Sequence, residues 1–250
     1  MFQDRTDAGR QLAAALEDYR GRDLLVLAIP RGGVEVGYQV ARQLGADFSI
    51  IVARKLPFPG NPEGGFGAIA EDGSRFVFRE ALRGLSAETV GRILEEQKAE
   101  VQRRVKVLRG DEPLPRIQGR TVILVDDGIA MGSTMRASIK LCRRHKAGEV
   151  VVAVPVAGPR QAREIGEMAD RLVVLETPPF FQAVAQAYAH WHDVPDGEVL
   201  DAMDRWRAEK KQATSAAEVM NIADIGRATV ENGGEAMAGH SAGPTPGEPG

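Results

Sequence analysis

A chain of 250 residues, 43% hydrophobic and 27% charged, can bury one sizeable core and does not have the composition of a disordered protein. Lysine and arginine total 32 against 35 acidic residues, a net charge of -3, so the basic excess expected of a nucleic-acid-gripping protein is missing. The opening MFQDRTDAGR has no apolar secretion signal, no run approaches the ~18 apolar residues of a membrane span, and the single cysteine, Cys142, cannot form an internal disulfide. A cytoplasmic protein with no nucleic-acid or membrane partner is expected, with Cys142 as a small buried hydrophobe.

Residues 6–19 place Ala8, Leu12, Ala15, Leu16 and Tyr19 on one face, which predicts an amphipathic helix. Residues 23–29 are a short, almost unbroken apolar run, the pattern of a strand covered on both faces in a parallel sheet. Pro30, Arg31, Gly32 and Gly33 interrupt it, a helical period resumes over 34–44, and a second strand is expected at 48–53. Residues 55–67 are rich in Gly and Pro and are read as a loop that could close over a site as a lid. From Ser86, a good N-cap, to Arg109 the apolar residues Val90, Ile93, Leu94, Val101, Val105 and Leu108 recur at helical spacing in a highly charged stretch. The apolar face of this inserted helix (86–110) suggests packing on a second copy, a homodimer. Strands follow at 121–125, 149–156 and 171–175, with helices at 133–145, 161–169 and 196–206.

Strands alternating with helices predict an α/β fold: a parallel sheet flanked by helices, with a site at the carboxyl ends of the strands. One domain is expected over 1–211. Residues 212–250, ending GHSAGPTPGEPG, read as a low-complexity, disordered tail.

Chemistry concentrates between residues 122 and 134. An apolar strand, Val122 to Val125, ends in the adjacent acids Asp126 and Asp127, and Gly132, Ser133 and Thr134 then open a helix. Free amides at a helix start form an anion site. Gly132 lets the backbone approach an oxyanion, and the two hydroxyls add donors. A ligand spanning both features carries a phosphate at one end and a vicinal diol nearby. Ribose 5-phosphate fits, with the diol on Asp126 and Asp127 and the phosphate on Ile129, Ala130, Met131, Gly132, Ser133 and Thr134. The segment is not a Walker loop, since no Lys follows the glycine, and GxGxxG is absent.

This segment closely resembles the phosphoribosyl pyrophosphate signature of the type I phosphoribosyltransferase family. Phe2-Gln-Asp-Arg5 with Ala8-Gly9, Leu27 to Gly33, Arg54-Lys55 with Pro59 to Glu63, and Val154-Pro-Val156 extend the likeness to an uncharacterised bacterial subgroup, over roughly residues 2–205. The resemblance implies transfer of a phosphoribosyl group from phosphoribosyl pyrophosphate to a small-molecule acceptor, a nucleobase, with Mg2+ on the diphosphate and no metal ligand assigned in the protein. It implies that the loop Arg31, Gly32 and Gly33 holds pyrophosphate, in many members through a cis non-proline peptide, and that Lys55 or Arg54 approaches the same group. Asp126 and Asp127 would position the ribose beside an oxocarbenium-like transition state. Many relatives have Thr where this chain has Met131, which removes one hydroxyl contact to phosphate. Ala130 stands where some purine-salvage relatives carry a carboxylate. Glu63 is a weaker candidate for contacting metal or acceptor.

Phe180 and Phe181 follow the last strand and could stack on a base, although clustered aromatics also serve simply as core. His190 and His192 flank Trp191 without a third metal ligand, and Glu95, Glu96 and residues 103–106 read as a solvated helix face. Residues 239–243 match GxSxG, but no apolar strand precedes them and no His or acid partner pair follows, so a hydrolase elbow is rejected. A more serious rival is a non-catalytic module that binds phosphoribosyl pyrophosphate to regulate a partner.

Overall fold

A computed structural model describes residues 1–234, apart from the side chains of 62–63 and 216–234. The described chain divides into two units, Met1–Asp204 and the residues from Arg205 onward. The first is built on five parallel strands: β1 (Leu24–Ala28), β2 (Asp47–Ile50), β6 (Thr121–Val125), β7 (Glu149–Val156) and β8 (Arg171–Glu176). Their spatial order is β2-β1-β6-β7-β8. These strands read as apolar runs because both faces are covered. Leu25, Leu27, Val122, Leu124, Val150 and Val152 share a core with Met135, Ile139 and Leu141 of α4 (Ser133–Arg144). On the other face, a Cβ at Gly37 of α2 (Gly33–Leu44) would stand 2.8 Å from Ala28 Cβ, so the glycine lets helix and sheet close up. The helix α1 (Arg5–Ala14), capped by the Asp4 carboxylate on Asp7 N, packs on α2, and α5 (Pro159–Gly166) packs on β8.

The strand order sets the site. From β1 the chain winds outward to β2, and from β6 it winds the opposite way through β7 to β8, so the crevice opens between β1 and β6. In open α/β sheets that switch point, at the carboxyl ends, is where ligands bind.

The segment expected to be a loop at 55–67 is instead a paired ribbon. The strands β3 (Ala53–Phe58), β4 (Asn61–Ala70) and β5 (Arg75–Val77) form an antiparallel sheet of their own. Its Gly and Pro content has physical reasons. Pro57 sits between two register shifts, where a strand tolerates proline, and a Cβ at Gly67 would lie 2.2 Å from Phe76 O. Leu56, Phe66 and Ala68 are fully buried. The long helix α3 (Ala87–Arg109) packs on β3 and β4 through Ile93, Val101 and Leu108. The same chain thus covers Ile93, Val101 and Leu108 of the apolar face read above as a dimer surface, while Val90, Leu94 and Val105 stay half-buried. At its end Arg109 forms a buried ion pair with Glu71. The ribbon also packs on α4.

The last helix, α6 (Asp196–Gly234), starts where expected and runs far past residue 206. The helix bounds reach Gly234, within the low-complexity segment that begins at residue 212 and was expected to be disordered. Residues 235–250, and with them the GxSxG match, lie outside the described residues.

Candidate functional site

At the β1–β6 crevice Ile29 N donates to Val125 O at 2.8 Å, which lays the loop after β1 across the end of β6. The Pro30–Arg31 peptide is cis. Gly33 is pressed onto the acid pair: a Cβ there would come within 2.8 Å of Asp126 Cα. At Gly32 it would fall 1.8 Å from Asp127 Oδ2. Both glycines thus supply room for two loops to meet. The Arg31 guanidinium, about two-fifths exposed, lies 3.8 Å from the Asp196 carboxylate.

The two acids part company. Asp126 lines a pocket of about 200 Å3 together with Lys55, Gly128, Ile129, Ala130, Met131, Gly132, Ser133, Thr134, Met135 and Val184. Asp127 is turned from that pocket. Its Oδ2 accepts from Arg5 Nε at 2.9 Å, with both side chains nearly covered. Of the two carboxylates expected to face one diol, only Asp126 lines the pocket. Burial, reinforced by the negative charge of Asp127, holds the Asp126 carboxyl well above the usual range. Burial also raises Asp127, and the Arg5 cation opposes it.

The turn from Gly128 to Gly132, where an anion cradle was expected, lines the pocket and leads into α4. Ile129 N donates to Val156 O at 2.9 Å, anchoring the turn on β7. Gly132 adopts φ 74°, a left-handed conformation suited to glycine, and α4 begins at the next residue. Arg136 was not foreseen. It is almost fully buried, and its Nη1 donates to Met131 O at 2.7 Å while Nη2 donates to Glu164 Oε2 at 2.6 Å. Met131, at the position where the resemblance expects Thr, is 44% exposed.

Opposite the turn, Lys55 reaches the pocket from β3, its stem running over Gly65, where a Cβ would be 2.7 Å from Lys55 Cγ. The neighbouring Arg54 has a buried Nε without a hydrogen-bond partner. Burial lowers its pKa, and the Arg104 cation of α3 lowers it further. Glu100 accepts from Arg103 at 2.7 Å and from Arg104 at 3.1 Å, and the Arg103 bond leads in pulling its carboxyl down to about 2. This flank of the crevice is rich in cations.

Neither phenylalanine lines the pocket. Phe181 packs on the cluster of Phe2, Ala187 and Tyr188, and Phe180 is 89% exposed. Val184 lines the pocket in their place and lies close over Gly128, where a Cβ would meet its Cγ1 at 2.7 Å. The His192 imidazole bonds to Glu198 at 2.9 Å. Glu63 lies among the side chains not described. Cys142 is fully buried, which pushes its thiol up to about 12.

A doubly covered parallel sheet, a crevice at its switch point and an acid-then-glycine turn opening a helix define an open-sheet α/β protein with its candidate site at the carboxyl ends of the strands. A family model described as the phosphoribosyl transferase domain matches residues 3–189, and the chain belongs to that family. It is 41% identical over 208 residues to "Putative phosphoribosyl transferase Rv0571c" of Mycobacterium tuberculosis strain ATCC 25618 / H37Rv, and equally to its counterpart MT0597 in strain CDC 1551. The aligned region covers 82% of this chain and 47% of each relative, so the chain spans about half the length of these curated relatives. Among solved structures it resembles TT1426 from Thermus thermophilus, with TM-score 0.70, 36% identity and coverage of 82% of this chain and 98% of that one. Among the described residues no helix is long and apolar enough to cross a membrane.

Proposed function

We propose that this chain transfers the 5-phosphoribosyl group of phosphoribosyl pyrophosphate to a nucleobase and releases pyrophosphate, as a cytoplasmic enzyme of nucleotide metabolism. One observation carries this: a single pocket brings together Asp126, the Ile129–Thr134 turn and Lys55. The turn amides and the Ser133 and Thr134 hydroxyls take the 5-phosphate, with Met131 contributing backbone only. Asp126 accepts from a ribose hydroxyl and, in its ionised form, puts negative charge beside the anomeric carbon as it becomes oxocarbenium-like. The loop Arg31, Gly32 and Gly33, with Lys55, receives the diphosphate as the C1–O bond breaks and the acceptor nitrogen bonds to C1. With Ala130 small, the acceptor's proton leaves to solvent. Phe180 is free to meet the acceptor, while Phe181 supports the wall behind it.

Among the described residues no three His, Cys, Asp or Glu side chains gather into a metal cage. Mg2+ keeps much of its water and binds through substrate phosphates. The cation-lined flank suits the diphosphate anion, and Mg2+ carried in on that diphosphate would lower the charge of the leaving group.

The test is incubation of the full chain with phosphoribosyl pyrophosphate, Mg2+ and a panel of bases, following pyrophosphate release. Release with one or more bases is expected, reduced by about 10²–10³-fold in D126N. Binding without release under every base would favour the regulatory module instead. No binding would refute both.

A further inference from the structure

We propose that Arg5 is a positioning residue of this site: it holds Asp127 against the diphosphate loop and leaves Asp126 as the carboxylate that meets the sugar. This rests on the phosphoribosyl reading above. Arg5 lies at the start of α1, far from the acid pair in sequence, yet its guanidinium reaches that pair. Its Nε donates to Asp127 Oδ2 at 2.9 Å and its Nη1 to His192 O at 3.0 Å. The Trp191 ring covers the guanidinium at 4.0 Å from Cζ, and Tyr188 Oη donates to Asp127 O at 2.7 Å.

The two segments that supply these groups hold each other. Phe2 N donates to Ala187 O, Ala189 N to Phe2 O and His190 N to Gln3 O, all at 2.8–2.9 Å. The ends of the domain thus form a clasp behind the crevice, with Asp127 at its centre. Gly32 closes the far side of the same carboxylate. Asp127 is fixed by a cation, a hydroxyl and a loop, and so cannot swing into the pocket beside Asp126.

A buried ion pair is weak evidence for stability, since apolar replacements often serve as well. One placed a residue away from a pocket carboxylate sets that carboxylate's charge. The groups facing the pair are Arg5 from α1, the Tyr188 hydroxyl from the clasp and Lys55 from β3, besides each acid facing the other. Removing the Arg5 cation raises both ionisations of the pair, whichever acid loses its proton first. Neutralising Asp127 removes the negative neighbour of Asp126 and lowers the remaining ionisation. Opposite signs separate a charge-setting role from a structural one.

The experiment is calorimetric titration of the full chain with phosphoribosyl pyrophosphate at saturating Mg2+ from pH 4 to 9. Wild type, R5Q, R5K and D127N are compared, so that the ligand's own ionisation cancels. Affinity should fall on the acid side in all four. The midpoint of that fall should move up by about one unit or more in R5Q, return close to wild type in R5K, and move down in D127N. The near-isosteric D127N keeps the test available if R5Q does not fold. A folded R5Q with an unmoved midpoint, or a D127N midpoint that stays or rises, overturns the assignment to Arg5 while leaving the phosphoribosyl reading intact. Wild type that binds no phosphoribosyl pyrophosphate at any pH overturns both.

Discussion

Replacing Gly32 with Ala should be among the most damaging single-methyl additions in this protein. The residue has φ -60° and ψ -33°, dihedrals that alanine adopts freely, so backbone strain is not the cause. The cause is space. The three atoms nearest to an added Cβ all belong to the Asp127 carboxylate: Oδ2 at 1.8 Å, Cγ at 2.5 Å and Oδ1 at 3.1 Å. That carboxylate cannot retreat without leaving Arg5, because its backbone oxygen is also held by Tyr188 at 2.7 Å. Breaking a buried ion pair costs about 3–5 kcal/mol, which in a domain of this size lowers the melting temperature by about 6–20 °C. Thermal melts followed by circular dichroism read the loss, and a double-mutant cycle locates it. In a D127A background the offending atoms are absent, so G32A should then cost under about 1 kcal/mol, a strong departure from additivity. A single mutant melting within about 2 °C of wild type, or equal costs in the two backgrounds, would refute the close-approach explanation.

Two other substitutions probe the ends of the proposed ligand. M131T restores a hydroxyl at an exposed position of the anion turn and should tighten ribose 5-phosphate binding about two- to tenfold, the worth of one hydrogen bond; calorimetry showing weaker binding counts against the turn as the phosphate site. F181A removes a ring packed on Phe2 and Tyr188 and should cost about 1–3 kcal/mol of stability, whereas F180A should change stability by less than about 0.5 kcal/mol and raise the KM of the acceptor. Equal melting losses in the two variants would contradict the different settings of these neighbours.

The parallel sheet was legible because its strands are buried on both faces and so carry apolar runs that short turns punctuate. The turn that opens α4 was legible for a similar reason: Asp126, Gly132, Ser133 and Thr134 are close in sequence, and local spacing determines local geometry. The ribbon at 53–77 was hidden because its glycines and prolines serve packing needs that only the folded neighbours reveal. Gly67 makes room for Phe76 O, and Pro57 occupies an irregularity in the ladder. Arg5 and Arg136 were missed on the same principle. Arg5 reaches its partner across 122 residues, and no periodicity or motif places a lone arginine there. Its presence in the Phe2-Gln-Asp-Arg5 segment was the one available signal, and that segment marked a likeness without naming a role. The splitting of the acid pair follows from these long-range contacts and was beyond the reach of an adjacent-residue pattern.

Arg136 also joins two parts of the crevice that lie far apart in sequence. Its guanidinium grips Met131 O in the anion turn, and the same group lies 5.1 Å from the Phe76 ring centroid and 5.5 Å from that of Phe78 at the edge of the ribbon. The ribbon carries Lys55, so one side chain touches both the wall formed by the 129–132 turn and the ribbon that carries the ammonium group. Shortening this buried side chain would loosen the turn and the ribbon from one another without altering any residue that lines the pocket surface.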